Sequence, residues 1–505
     1  DAKGMLIHEV ALDNNGNKTP LKFDYKNDLL NITLDKIYQK NQDYTVYIKY
    51  TSRPNEVKQE GSAAINDAKG LYFINAQGTD PDKPTQIWTQ GETESSSAWF
   101  PTIDKPNQKT TQEIFMTVPD KYVTLSNGLL KESKKEANNL RTDHWVMDKR
   151  HSTYLFFMGV GDYAVVKDKW RNIAVDYYIE KEYEPYAKQI YGNTPEMMEF
   201  FSKKLNYDYP WSKYAQISGR DYVSGAMENT TATLHGSDIL QKPGQLIDEN
   251  TWEDTIAHEL FHQWFGDLVT AESWSNLTVN ESFANYSEYL WNEHKYGKDQ
   301  ADYHIMTDVG RYIHNPGDFN KNLVRFNYES REDVFDLVTY QKGGGILHML
   351  RNYLGDDAFF ASLNHYLKSN EYQIGEAHQL RLSFEKVTGK DLNWFFNQWY
   401  FSNGHPKISY SYNYEPVKKE VTVSVNQTQA GEPFQFPLAI DVFENGKPTR
   451  KNVWVDAKTK NEFSFAVSKN PELINLNADG VLMADITETK TPEQYFTQFS
   501  NSKEF

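Results

Sequence analysis

The segment His258-Glu-Leu-Phe-His262 constrains this chain more than any other stretch. In a helix, residues four apart share one face and lie about one turn apart. Two imidazoles at that separation can bind a single metal ion, and the intervening Glu259 points toward the same ion without having to bind it. The pattern alone also fits two solvated or core-satisfied histidines, so its surroundings decide. From Trp252 to Val269 apolar and polar residues recur at helical spacing, without proline and with Gly266 as a single late glycine. This predicts one helix over 252–269. A catalytic zinc takes three protein ligands and keeps its fourth position open. Glu281, nineteen residues after His262, opens a second helical run reaching Trp291 that could pack beside the first. It is the candidate third ligand. Glu288 shares its face and could bond a ligating imidazole, although an ordinary surface carboxylate fits as well.

A length of 505 residues suggests about three domains. The apolar fraction of 39%, with 14% aromatics, supplies a large core. No run of eighteen apolar residues is present, which excludes a membrane-spanning helix by sequence. A net charge of −17 argues against nucleic acid as the main partner, because phosphate binding needs a basic footprint. The same charge is compatible with a substrate carrying a positive group such as a free amino terminus. Cysteine is absent, which excludes a cysteine metal site and disulfide staples. It also favours an exported protein, periplasmic or secreted, over a cytosolic one. The chain opens at Asp1 with no charged-then-apolar leader, as expected of a processed or trimmed product of something longer.

The hydrophobic period divides the chain. Residues 1–176 read as an all-β domain of meanders: Leu29–Leu34, Tyr44–Tyr50, Thr110–Val118, Tyr122–Leu125 and Tyr154–Val166 alternate and are rich in β-branched and aromatic residues. Asn127-Gly128 has the sequence of a hairpin turn. The proline-punctuated run 98–106 reads as a loop or rim. Residues 177–404 are mostly helical. Thr194 as cap and Pro195 at the first helical position open one helix, and others are expected at 345–353, 358–368, 378–387 and 394–401. Strands return over 405–489, with 408–412, 421–425, 438–443 and 453–455 forming a small β-sandwich and Asn445-Gly446 a hairpin turn. Residues 490–505 begin a helical segment, marked by the capping box Thr491-Pro-Glu-Gln494.

His258-Glu-Leu-Phe-His-Gln-Trp-Phe-Gly-Asp-Leu-Val-Thr270, followed by Asn280-Glu-Ser-Phe-Ala-Asn-Tyr-Ser-Glu-Tyr-Leu290, resembles the M1 (gluzincin) family of zinc aminopeptidases, aminopeptidase N-like. Gly225-Ala-Met-Glu-Asn229 matches that family's exopeptidase motif, and Tyr340-Gln-Lys-Gly343 its tyrosine motif. Gln90-Gly-Glu92 with Phe100–Pro106 is similar to the N-domain segment that reaches the active site, and Asn397–Pro406 to the end of the catalytic domain. The likeness spans nearly the whole chain. It departs at Ser282, where glycine is usual, and at Thr278, where tryptophan is common. Family members also have more N-terminal strands, and many continue into an all-helical domain.

The resemblance implies an α+β multidomain fold: the N-terminal β-domain, a thermolysin-like catalytic domain, the sandwich, and the start of a truncated helical domain. It implies one zinc ion held by His258, His262 and Glu281, with Glu259 as general base. Tyr340 would donate to the tetrahedral oxyanion, a contact typically worth roughly 3 kcal/mol of barrier. Glu228 and Glu92 would hold the substrate's α-ammonium through charge-assisted bonds. Gly225 and Ala226 would align the peptide backbone, Met227 would wall the first side-chain pocket, and Asn229 completes the motif. The implied partners are peptides or small proteins with a free N-terminus. The rivals are a thermolysin-like endopeptidase, which Glu228 would obstruct, and a catalytically weak peptide-binding relative, which has no need of Glu259 and Tyr340. The epoxide-opening activity of one family branch has no particular support in these residues.

Overall fold

The computed structural model describes residues 1–58, 61, 62 and 64–501. The fold is mixed: a β-rich N-terminal part, a helical central part and a C-terminal β region. The N-terminal strands form several small sheets. Leu140–Ser152 lies between Leu129–Lys135 and Lys109–Pro119, and Met158–Gly161 lies between Gln86–Thr89 and Val123–Ser126. Asn127-Gly128 therefore does not close a hairpin. It is a corner between two sheets, because Val123–Ser126 and Leu129–Lys135 pair with different strands. Gly128 sits at φ +72°, and a Cβ there would lie 2.0 Å from the Val146 carbonyl oxygen, so only glycine fits. Residues 154–166 are likewise not one strand: a 3₁₀ turn at Thr153–Leu155 and two strands, Met158–Gly161 and Tyr163–Trp170, share them.

The central part is built on a five-stranded sheet. Ile173–Glu180, Lys213–Gly219 and Ala232–Gly236 run parallel, with Tyr163–Trp170 antiparallel at one edge and Ala226–Met227 at the other. The expected division at residue 176 falls inside Ile173–Glu180. Alternation alone cannot say which sheet a strand joins, and this strand joins the central one. The buried core that contains Trp88, Tyr154 and Phe157 also contains Ile217, Met227 and Leu234, so N-terminal strands and central sheet share one apolar interior.

Helices cover the other face. The helix predicted over 252–269 is observed only as Glu253–Phe261. Gly266, at φ +137°, turns the chain, and Val269–Ala271 becomes a strand parallel to Gln373–Gly375. Residues 259–271 are buried without interruption, so the apolar pattern there has no polar face to mark where the helix ends. The second helix, Thr278–Lys295, packs beside the first: Trp291 Nε1 donates to Glu253 (2.6 Å), Asn292 Nδ2 to Asp254 (2.7 Å) and Ser287 Oγ to the Ala257 carbonyl (3.3 Å). At Thr194–Leu205 the threonine does not cap. Its hydroxyl donates back to the Tyr191 carbonyl at 2.6 Å, and Asn193 precedes the helix.

The C-terminal strands form two facing sheets. Asn445 and Gly446, at φ +55° and +68°, close a two-residue hairpin between Glu444 and Lys447, as their sequence demands. Thr491 and Gln494 cap Pro492–Phe499 reciprocally, and Gln494 Nε2 donates to Tyr412 of the sandwich at 2.9 Å. Among the described residues, no helix is long and apolar enough to cross a membrane.

Candidate active site

The paired helices bring three donors to one point. Glu281 Oε2 lies 3.3 Å from His258 Nε2 and 3.3 Å from His262 Nε2. Two ligand atoms bound tetrahedrally to zinc at its usual bond lengths lie about 3.3 Å apart, so both separations from Glu281 match those of a zinc cradle, and the three donors lie within 4.8 Å of one another. The remote ring nitrogens support the same orientation. His258 Nδ1 pairs with Glu288 Oε1 at 2.8 Å, and His262 Nδ1 with the Phe265 carbonyl at 3.0 Å. Each outer partner is an acceptor, so each Nδ1 donates outward and each Nε2 faces Glu281, the nitrogen that a metal would take in place of a proton.

Charge points the same way. Burial works against a charged imidazole. Yet Glu281 and Glu288 raise His258 well above the usual range, and Glu228 and Glu281 raise His262. Burial likewise works against an ionised Glu281, but the two imidazoles hold it low. A divalent ion at the meeting point answers the demand for positive charge that these groups express.

Around this point stand further buried acids. Glu259, Glu228 and His262 place one donor each within 4.8 Å of one another, and so do Glu92, Glu228 and Glu281. Glu259 Oε2 and Glu92 Oε1 have no hydrogen-bond partner. Burial pushes the Glu92, Glu228 and Glu259 carboxyls up; neighbouring glutamates add to this, while His258 and His262 oppose it at Glu228 and Glu259. Tyr340 lies on a π-helical turn, Val338–Lys342, with its ring 6.1 Å from that of His258 and nearly parallel to it. Such turns recur at functional sites. Glu228 follows Ala226–Met227, the outer strand of the central sheet, whose other edge is unpaired within this sheet. Met227 is buried against Gln90 Nε2, 3.2 Å from its sulfur. A Cβ on Gly225 would meet nothing within 4 Å, so open space lies beside that backbone. Asn229 is buried with neither amide atom paired.

The Peptidase family M1 domain model matches residues 190–399, and the Peptidase M1 N-terminal domain model residues 1–155. The chain belongs to peptidase family M1. Tricorn protease-interacting factor F2 of Thermoplasma acidophilum is 28% identical over 405 residues, 76% of this chain and 50% of that one. Aminopeptidase N of Mus musculus is 25% identical and covers 84% of this chain and 46% of its own length. The chain thus spans about half the length of these curated relatives. Legionella pneumophila aminopeptidase A, solved in complex with aspartic acid, shares the fold at a TM-score of 0.80 and 19% identity, over 98% of this chain and 56% of that one.

In this M1 chain several site residues escape sequence reading. Gln263, next to the second histidine, donates to the Glu228 carbonyl at 3.0 Å and accepts from the Thr231 amide at 3.0 Å, tying residues 228–231 to the turn after His262. Its position beside the motif was the only available signal. Tyr154 donates to Glu228 Oε1 at 3.4 Å and receives Asn280 Nδ2 at 3.3 Å. Asn127, at the sheet corner, donates to the Thr230 carbonyl at 2.7 Å. Nothing separates Tyr154 from the other tyrosines of this chain without coordinates. The two departures also find a reason. Thr278 Oγ1 and Ser282 Oγ lie 2.7 Å apart, and Ser282 donates to the Thr339 carbonyl at 2.6 Å, just before Tyr340. A Cβ on Gly343 would lie 1.9 Å from Ser282 Oγ, so the serine fills the space that glycine leaves.

Proposed function

We propose that this chain is a zinc-dependent aminopeptidase that removes the N-terminal residue from peptides and small proteins with a free amino terminus. The observation that carries the reading is the crowding of four buried carboxylates, Glu92, Glu228, Glu259 and Glu281, around two imidazoles. That site calls for two cations of different kinds, a metal ion and a substrate ammonium. His258, His262 and Glu281 would hold zinc, and the ion supplies Lewis-acid stabilisation of negative charge on oxygen at neutral pH. Glu259, with one oxygen free of hydrogen bonds, takes the proton of the attacking water and passes it to the leaving amine. Tyr340 donates its hydroxyl proton toward the tetrahedral oxyanion. Glu228 and Glu92 receive the α-ammonium, and that charge draws down carboxyls that burial holds up. The unpaired edge beside Ala226 suits a peptide added as a further strand. Relatives named as aminopeptidases support the same reading.

The test is a panel of aminoacyl anilides, with free or acetylated amines, assayed with and without a chelator. Chelation is expected to stop turnover, and acetylation to abolish it in wild type. Glu228→Ala removes one charge-assisted bond, worth about 1.5–3 kcal/mol, so preference for the free amine should fall roughly 10- to 100-fold. Equal cleavage of blocked and free substrates by wild type would sink the exopeptidase reading in favour of an endopeptidase.

A further inference from the structure

Behind the metal cradle lies a second layer of ionisable groups that the reaction does not use. Glu288 spends one oxygen on His258 Nδ1. Its other oxygen, Oε2, lies 3.2 Å from Nε2 of His304, on the neighbouring helix Lys298–Ile313. The far side of that imidazole, Nδ1, lies 3.4 Å from Asp254 Oδ2. Asp254 sits at the start of the helix that carries His258 and ends at His262, and its other oxygen accepts from Asn292 at 2.7 Å. Asp308, one turn along from His304, approaches Nε2 at 3.7 Å and is itself held by Asn285 at 2.9 Å. An unbroken series of contacts thus runs from His258 through Glu288 and His304 to Asp254, and it ties three helices together.

The same three groups, Asp254, Glu288 and His304, lie close enough to suggest a second cation site. The ion-pair distances argue otherwise. His304 has a carboxylate on both sides, Asp254 at 3.4 Å from Nδ1 and Glu288 at 3.2 Å from Nε2, the spacing of an imidazolium between two anions, and Nε2 lies near these acids without a hydrogen bond to hold it. The flanking Asp254 and Glu288 outweigh burial and hold His304 protonated up to about 10, which fits a fixed cation between them. A cleft of about 450 Å³ opens beside His304 and Glu288. Without a cation at that position, the free oxygen of Glu288 could turn to water and release His258.

We infer that His304 is a positioning residue that holds Glu288 against His258 and thereby sets how tightly the site retains its metal. The inference rests on the zinc reading above. Its effect should appear in metal affinity rather than in the chemical step, since His304 reaches no reacting group.

The experiment measures zinc affinity of the whole chain by competition with a coloured chelator, for wild type, Glu288→Gln, His304→Ala, His304→Gln and the double variant Glu288→Gln/His304→Ala. Replacing a group that orients a metal ligand costs roughly 10- to 100-fold, so Glu288→Gln is expected in that range and His304→Ala, one layer further out, at about fivefold. His304→Gln, which keeps a donor, should recover part of the loss. The double variant should bind no more weakly than Glu288→Gln alone, because His304 acts only through that carboxylate. Additive losses, or unchanged affinity in His304→Ala, would overturn the inference. So would loss of a second equivalent of zinc with the first unaffected, which would assign the cluster to a separate ion. If His304→Ala does not fold, His304→Gln and Asp254→Asn carry the same comparison. Failure of wild type to bind zinc at all would remove the metal reading itself, an outcome visible before His304 is touched.

Discussion

His258 lies on the helix Glu253–Phe261 and His262 caps its C-terminal end one turn later, yet they are held by opposite means. His258 is 13% exposed and is supported entirely by side chains, Glu288 and behind it His304. His262 is 1% exposed and leans on backbone. Its partner is the Phe265 carbonyl, in a turn that Gly266, the Asp267 amide to the His262 carbonyl (2.9 Å) and the Gly266 amide to the Val269 carbonyl (2.8 Å) keep closed. Lys109 reaches across from the N-terminal strands to donate to the carbonyls of Asp267 and Leu268 at 2.9 and 3.0 Å. One imidazole is therefore adjustable by substitution at a partly wet face. The other is as rigid as the fold around it and can be disturbed only by disturbing that fold.

The comparison breaks first at the ligands themselves. His258→Ala and His262→Ala should each weaken zinc binding and turnover by more than the roughly 100-fold ceiling of outer partners. Thermal melting of the metal-free protein should nonetheless separate them, with His262→Ala melting lower because it empties a buried site. Equal melting would show the two supports to be equivalent. The next contrast is Gly266→Ala. A Cβ there would lie 3.0 Å from His262 Nδ1 at a φ of +137°, a conformation costing a non-glycine residue about 1–3 kcal/mol. Denaturant melts should register that loss, whereas Glu288→Gln should leave them almost unchanged while lowering zinc affinity. Smallest in its effect on zinc is Lys109→Met, which strips a donor from two carbonyls of the turn. Its expected cost is about 1–3 kcal/mol of stability with zinc affinity within a few-fold of wild type. A large affinity loss there would mean that the turn transmits strain to His262 and is less rigid than drawn.

The shared face of His258 and His262, and that of Glu281 and Glu288, were legible because each depends on local geometry. Spacing of four placed His258 and His262 on one face, and spacing of seven placed Glu288 on the face of Glu281. Legibility failed where burial is complete. The helix read over 252–269 stops at Phe261 because nothing between 259 and 271 faces water and the pattern has no phase to lose. It failed again where sheets compete for strands, at Ile173–Glu180 and at the Asn127-Gly128 corner, since alternation marks a strand without naming its neighbour. Tyr154 and His304 carry no local signature at all, Gln263 has only its place beside the motif, and Ser282 only its departure from the usual glycine. Each is an ordinary residue until the chain folds it against a charged or backbone group.

From sequence alone, then, came the histidine pair and its carboxylate neighbour as a candidate metal site, the change from strand to helix and back, and membership in a family whose motifs this chain carries. Tertiary structure alone decided that Glu92 and Glu228, 136 positions apart in the chain, lie with Glu281 around one point. It also decided which atoms hold each imidazole from behind. The reason is physical: periodicity records which residues share a face within a few turns, while the meeting of desolvated charges depends on closing long loops, and no local pattern reports the partner at the other end.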